Sequence, residues 1–210
     1  MTLQEVTQVI LYGFMAAALV VAVVYWQYYK STKEWVFLPF IIITVVVELA
    51  ANMAIRIFEQ PSAGLSNTLI LLSNLLLFYW FCTHLKIKRL FFLSTSLVCI
   101  AFIVNLYYQS FFYKIYYYPN FLIGLLLLVF VFLYLNKLLN SDKVLIFNKT
   151  PALWISIGLL IYQLNLVIIF ALRAELAAME PALFSIVLCA INVIFYSLLS
   201  YGLILTKRHE

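Results

Sequence analysis

Seven apolar runs of about twenty residues each, at 6–27, 36–57, 67–85, 90–110, 119–138, 151–172 and 182–205, leave this chain few ways to fold. Each is long enough to cross roughly 30 Å of hydrocarbon. A lipid core offers backbone N–H and C=O groups no partner, so runs of this length must satisfy themselves as helices. The expected fold is all-α: a polytopic membrane protein with one domain over 1–210, a seven-transmembrane-helix bundle. The connectors support the division. Pro61-Ser62-Ala63-Gly64 breaks the second run from the third, Asn140-Ser141-Asp142-Lys143 the fifth from the sixth, and Pro151 and Pro181 stand at helix starts. Only the basic LKIKR of 85–89 separates the third from the fourth. No connector exceeds about a dozen residues, which leaves no room for a soluble catalytic domain.

Charge placement predicts orientation. Of the thirteen Lys and Arg, only Arg56, Lys114 and Arg173 lie on the side of the N-terminus; the other ten fall in connectors 28–35, 86–89 and 139–150, at Lys137, or after 205. The positive-inside rule makes those ten cytoplasmic, with the N-terminus outside and the C-terminus inside, as an odd span count also requires. MTLQEVTQ carries no basic residue and no small-residue cleavage site follows the first run, so that run reads as a retained helix rather than a signal peptide. The +5 net charge is scattered through these connectors, which excludes a nucleic-acid surface. With 67% hydrophobic and 10% charged residues and a mean hydropathy of +1.09, the partner is the lipid bilayer, and the expected location is a bacterial inner membrane. Trp26, Trp35 and Trp154 suit the cytoplasmic interface, and the aromatic run from Tyr107 to Tyr118 suits the outer one.

Within the second run, Glu48, Asn52 and Arg56 recur at four-residue spacing and are expected to form one polar stripe. An ionisable group at that depth is expensive in hydrocarbon and is tolerated where it faces protein or water. The seventh run carries Ser185, Cys189, Asn192, Tyr196 and Ser200 at three- and four-residue steps, and the third carries Ser73 and Asn74. In the sixth, Tyr162 and Asn165 share a face while Gln163 points elsewhere, so the first two are the cavity candidates, with Arg173 at the mouth. Expected ligand-binding or coupling residues are therefore Glu48, Asn52, Arg56, Asn74, Tyr162, Asn165, Arg173, Asn192 and Tyr196. The fifth run, FLIGLLLLVFVFLYL, has almost no polar side chain and reads as a lipid-facing wall; His84 reads as an interfacial residue beside Lys86 and Lys88.

His84 and His209 share no element, the three cysteines lie inside apolar runs, and there is no glycine-rich phosphate loop or Ser-His-Asp set. No metal, cofactor or catalytic residue is expected, and the chain reads as non-enzymatic. The gross topology resembles rhodopsins, but no lysine stands between Pro181 and Thr206 to form a Schiff base; it is similar to PQ-loop transporters, but the Pro-Gln pair is missing. WxFLPFxxxxxxxE from Trp35 to Glu48 and TPALWISIGLLIY from Thr150 to Tyr162 resemble small seven-helix proteins of Bacteroidetes-like bacteria and the membrane sensor halves of some histidine kinases. That resemblance implies a fold and brings no ligand with it. The leading expectation is a receptor-like sensor that binds a small-molecule ligand in an outward-facing polar pocket and relays to a cytoplasmic signalling partner or through a homo-oligomer. A transporter coupled to protons through Glu48 is the alternative, and an accessory or structural subunit the third.

Overall fold

The computed structural model describes residues 3–57, 61–141, 149–171 and 181–209. Among them, seven helices are long and apolar enough to cross a membrane: α1 (Leu3–Val24), α2 (Phe37–Arg56), α3 (Ala63–Leu85), α4 (Lys88–Leu106), α5 (Tyr117–Leu139), α6 (Pro151–Ala171) and α7 (Pro181–Leu205). A short helix Trp26–Tyr29 and a 3-10 turn Lys33–Val36 link α1 to α2, and a 3-10 turn Thr206–His209 follows α7. Ala63 and Gly64, which the sequence places in a break, already belong to α3. An added Cβ at Gly64 would lie 2.9 Å from Phe112 Cδ1, so the start of α3 passes directly under the 107–116 loop.

Six helices form a closed ring. α1 packs on α2, α2 on α3, α3 on α5, α5 on α6, α6 on α7, and α7 returns to α1. α4 stands outside the ring, against α3 and α5. This narrows the reading of α5 as a lipid-facing wall to one face, where Leu125, Val129, Phe132 and Leu133 are exposed. Ile123, Leu127, Phe130, Val131 and Tyr134 of α5 are buried, whereas α4 exposes Phe92, Leu93, Ile100, Ile103 and Val104. Uniform apolarity marks a helix buried among helices as readily as one in lipid, and small residues decide which. Gly124 of α5 lets α6 approach so closely that a Cβ there would stand 2.7 Å from Val167 Cγ2. The α6–α7 seam uses Gly158 and Gly202 in the same way, with Leu198 Cβ at 3.1 Å from a Cβ on the first and Ile155 Cγ1 at 2.6 Å from one on the second.

The bundle has two unlike ends. At the basic end, where α1 stops and α2 starts, the ring is filled by Phe37, Trp80, Phe81, Phe130, Ile155, Leu199 and Leu203. Phe37 and Trp80 meet edge to face at 4.9 Å, an arrangement aromatic quadrupoles favour. Here α3 terminates on Lys86, whose φ of 63° is left-handed, and its free carbonyls are met by cations: Lys33 Nζ donates to Thr83 O at 2.9 Å, and Lys137 Nζ to His84 O at 2.8 Å and Leu85 O at 3.1 Å. Positive charge at a helix C-terminus is stabilising. His84 is more enclosed than an interfacial residue. Its Nε2 lies 3.3 Å from Glu34 Oε1, and its ring packs on Trp80 at 4.9 Å and Tyr134 at 5.3 Å.

At the opposite, amino-terminal end, the 107–116 loop is held by Asn67. Its Nδ2 donates to Phe111 O at 2.8 Å and Lys114 O at 3.0 Å, and its Oδ1 accepts from Tyr116 N at 3.0 Å. Tyr116 is thereby buried, while Tyr107, Tyr108, Phe112, Tyr113 and Tyr118 stay exposed as an aromatic rim.

Candidate functional site

In the amino-terminal half the ring encloses a cavity of about 600 Å³, lined by all six ring helices and by no residue of α4. Its residues follow helical periodicity. On α2 they are Phe40, Thr44 and Glu48, four apart; on α7, Ser185, Leu188, Cys189, Asn192, Phe195 and Tyr196; on α3, Ser66, Ile70, Ser73, Asn74 and Leu77. The floor is aromatic and apolar. Phe195 packs against Tyr162 at 5.0 Å, Tyr196 at 5.3 Å and Phe40 at 6.2 Å, with Met15, Leu77 and Leu159 beside them. Above it the wall turns polar.

Glu48 is the only Asp or Glu among the described lining residues, and no Lys, Arg or His joins it. Among the described residues its carboxylate has no hydrogen-bond or ion-pair partner; the salt bridge found among them joins His84 to Glu34. Tyr162 and Tyr196 line the same cavity. Several neighbours have spent their donors on their own helices. Thr44 Oγ1 donates to Phe40 O at 2.8 Å, Asn74 Nδ2 to Ile70 O at 2.5 Å and Asn192 Nδ2 to Leu188 O at 2.8 Å. Such back-bonding uses the one hydroxyl proton of Thr44 and one of the two N–H groups of each asparagine, and leaves the oxygens to accept.

Of the nine residues singled out from the sequence, Glu48, Asn74, Tyr162, Asn192 and Tyr196 line this cavity. Asn52 does not. It lies in a separate groove between α1 and α2, where its Nδ2 donates to the Tyr12 hydroxyl. Four residues turn a helix about 40° past one full revolution, and that drift carries position 52 from the ring interior to the α1–α2 seam. The single stripe expected on α2 is therefore divided. Arg173 lies outside the described residues, as does Glu59, and of Arg56 only the backbone, closing α2, is described.

The face assigned to α6 is corrected too. Gln163 lines the cavity and Asn165 does not; Asn165 Nδ2 turns back to Ile161 O at 2.7 Å. The interior face is Leu159, Tyr162, Gln163 and Leu166, which extends the buried series Ala152, Ile155, Ser156 and Leu159. Continuing that series past 159 reaches 163, a signal present in the sequence that the pairing of 162 with 165 overrides. Ser200 of α7 also falls short of the cavity.

Sequence reasoning missed Asn120, one residue after Pro119 in the first turn of α5. It is only 4% exposed, it lines the cavity, and neither its Nδ2 nor its Oδ1 has a hydrogen-bond partner. Buried amide groups are almost always paired. Among the described residues, no three His, Cys, Asp or Glu side chains gather where a metal ion would bind. No protein-family model, curated protein or solved structure matches this chain.

Proposed function

We propose that the protein is a non-enzymatic membrane receptor, a sensor that takes a small ligand into the ring cavity and relays its presence to the basic end. The observation that carries this reading is a partly open cavity of about 600 Å³, with polar groups set in a mostly apolar wall, occupying one half of a ring whose other half is filled. That volume lies in the range of small-molecule sites. On the charge distribution the cavity half faces outward and the basic half faces the cytoplasm, as in a bacterial plasma-membrane sensor of the kind that Trp35–Glu48 and Thr150–Tyr162 resemble.

A relay route is available in packed aromatics. Phe40 of the cavity floor contacts Phe37 at 6.2 Å, Phe37 contacts Trp80, and Trp80 contacts His84, which pairs with Glu34 in the turn that precedes α2. A ligand that displaces the floor by a fraction of an ångström would bear on this column, because close-packed contacts shift between discrete arrangements. A partner reading the basic end would then meet a changed Lys33–Val36 turn.

To test this, Leu166→Cys in a background lacking the three native cysteines is reacted with a small methanethiosulfonate reagent. Amide exchange is then followed at 33–36 and 83–86. A changed exchange rate at that distance is expected; an unchanged rate with a filled cavity would remove the relay. Glu48, the one acid among the described lining residues, favours one second reading, a proton-coupled transporter. Substrate flux into proteoliposomes that disappears in Glu48→Gln would select it over the receptor.

A further inference from the structure

The hydrogen-bonding character of the cavity narrows what it can hold, and this step rests on the receptor reading of the same site. Several of the hydrogen-bond donors on the wall around Glu48 are turned back onto their own helices. Thr44, Ser73, Asn74 and Asn192 each direct a donor to a backbone carbonyl of their own helix, Ser73 Oγ reaching Ile70 O at 3.3 Å. What they leave is their oxygens as acceptors and, on each asparagine, one further N–H. The Glu48 carboxylate adds two more acceptors and a negative charge, with no cation among the described lining residues to neutralise it. A charge left this way in low-polarity surroundings is costly, and an incoming cation relieves that cost.

Below it, Tyr162, Phe195 and Tyr196 present aromatic rings, the one uncharged surface that also attracts a cation. Leu11, Leu69 and Leu166 offer apolar wall for the remainder of a ligand. Across the ring from α1, the amide of Asn120 is buried at the cavity edge without a hydrogen-bond partner among the described residues.

We infer that the cavity binds a protonated primary or secondary amine with an apolar body, its ammonium on Glu48 and the carbonyl oxygens of Asn74 and Asn192. The N–H bonds matter as much as the charge. A quaternary ammonium would satisfy Glu48 electrostatically but would leave the amide oxygens without donors.

The test uses the full-length protein in lipid nanodiscs at pH 7, with four probes of one shape: 2-phenylethylammonium, its N,N,N-trimethyl derivative, 2-phenylethanol and phenylacetate. Calorimetric titration is expected to rank the primary ammonium first, with the alcohol at least about tenfold weaker, a difference of about 1.4 kcal/mol. The trimethyl form should fall between them, and phenylacetate should not bind. Glu48→Gln is expected to remove the preference for the ammonium over the alcohol. Asn165→Ala, off the cavity, is expected to retain it. Should Glu48→Gln fail to fold, Asn74→Leu and Asn192→Leu serve instead, each expected to weaken the primary ammonium more than the trimethyl form.

Equal or tighter binding of the alcohol, or of phenylacetate, would overturn the cation assignment and leave a ligand-binding cavity standing. No binding by any probe up to millimolar concentration would overturn the assignment. If the thiol reagent at position 166 also failed to alter exchange at the basic end, the receptor reading would fall with it.

Discussion

The two halves of the helix ring are built from the same six helices and differ in what those helices bring inward. Toward the basic end α2, α3 and α7 contribute Phe37, Trp80, Phe81, Leu199 and Leu203, and glycines at 158 and 202 bring α6 and α7 into backbone contact. Two or three turns along, the same three helices present Glu48, Asn74 and Asn192 to an opening of about 600 Å³. Hydropathy barely distinguishes these halves, since one polar residue per turn leaves a run apolar on average. The distinction is between side chains that interdigitate and side chains that bond to their own helix and leave space in front of them.

The comparison breaks if the filled half tolerates truncation. Trp80→Ala is expected to cost about 3–5 kcal/mol, whereas Leu69→Ala on the cavity wall should cost about 1 kcal/mol, since its side chain already lacks neighbours on one side. Denaturant titration in mixed micelles measures both; equal losses would mean that the cavity is packed in solution.

Asn67 sharpens the contrast from the other direction, as a polar residue of the amino-terminal end that is wholly structural. Asn67→Ala removes three bonds to backbone groups of the 107–116 region and is expected to cost about 2–3 kcal/mol. Limited proteolysis should find that loop cut faster. Gly202→Val, whose new Cβ would stand 2.6 Å from Ile155 Cγ1 and 3.0 Å from Pro151 O, is expected to cost about 1–3 kcal/mol. An unchanged melting temperature would show that α6 and α7 separate freely. The smallest change has the opposite sign. Glu48→Gln removes a charge that no cation among the described lining residues neutralises and should stabilise the ligand-free protein by about 1 kcal/mol near neutral pH. The gain should shrink as pH falls and the wild-type carboxyl takes up a proton. A loss of stability would mean that Glu48 holds the helices together.

Much of the architecture was legible because a twenty-residue apolar run has one answer in lipid, and the polar residues of α7 were legible because five of them keep to one face. The face of a helix that meets its neighbours is a tertiary fact, and the misreadings lie there. Asn52 and Asn165 sit close in sequence to cavity residues and are turned away by 40° of drift or by a competing face, while Gln163 continues a buried series that apolar residues define. Asn120 was hidden by its place beside Pro119, where an asparagine ordinarily marks a boundary. The Glu34–His84 pair joins residues fifty positions apart, which no local pattern announces.

The ring is sealed by the packing of α1 against α7, the first and last of the seven described spans in chain order. Synthesis therefore delivers Glu48 and Asn74 to the bilayer before Gln163, Asn192 and Tyr196 have left the ribosome. During that interval the carboxyl has no cavity to face, and α2 must be inserted on the strength of its flanking Ile and Val residues. A nascent chain arrested before α7 would carry an acidic residue facing lipid or whatever protein attends it. The site is thus complete only once α7 is in place, and α7 reaches α2 directly across the cavity floor, Phe195 against Phe40.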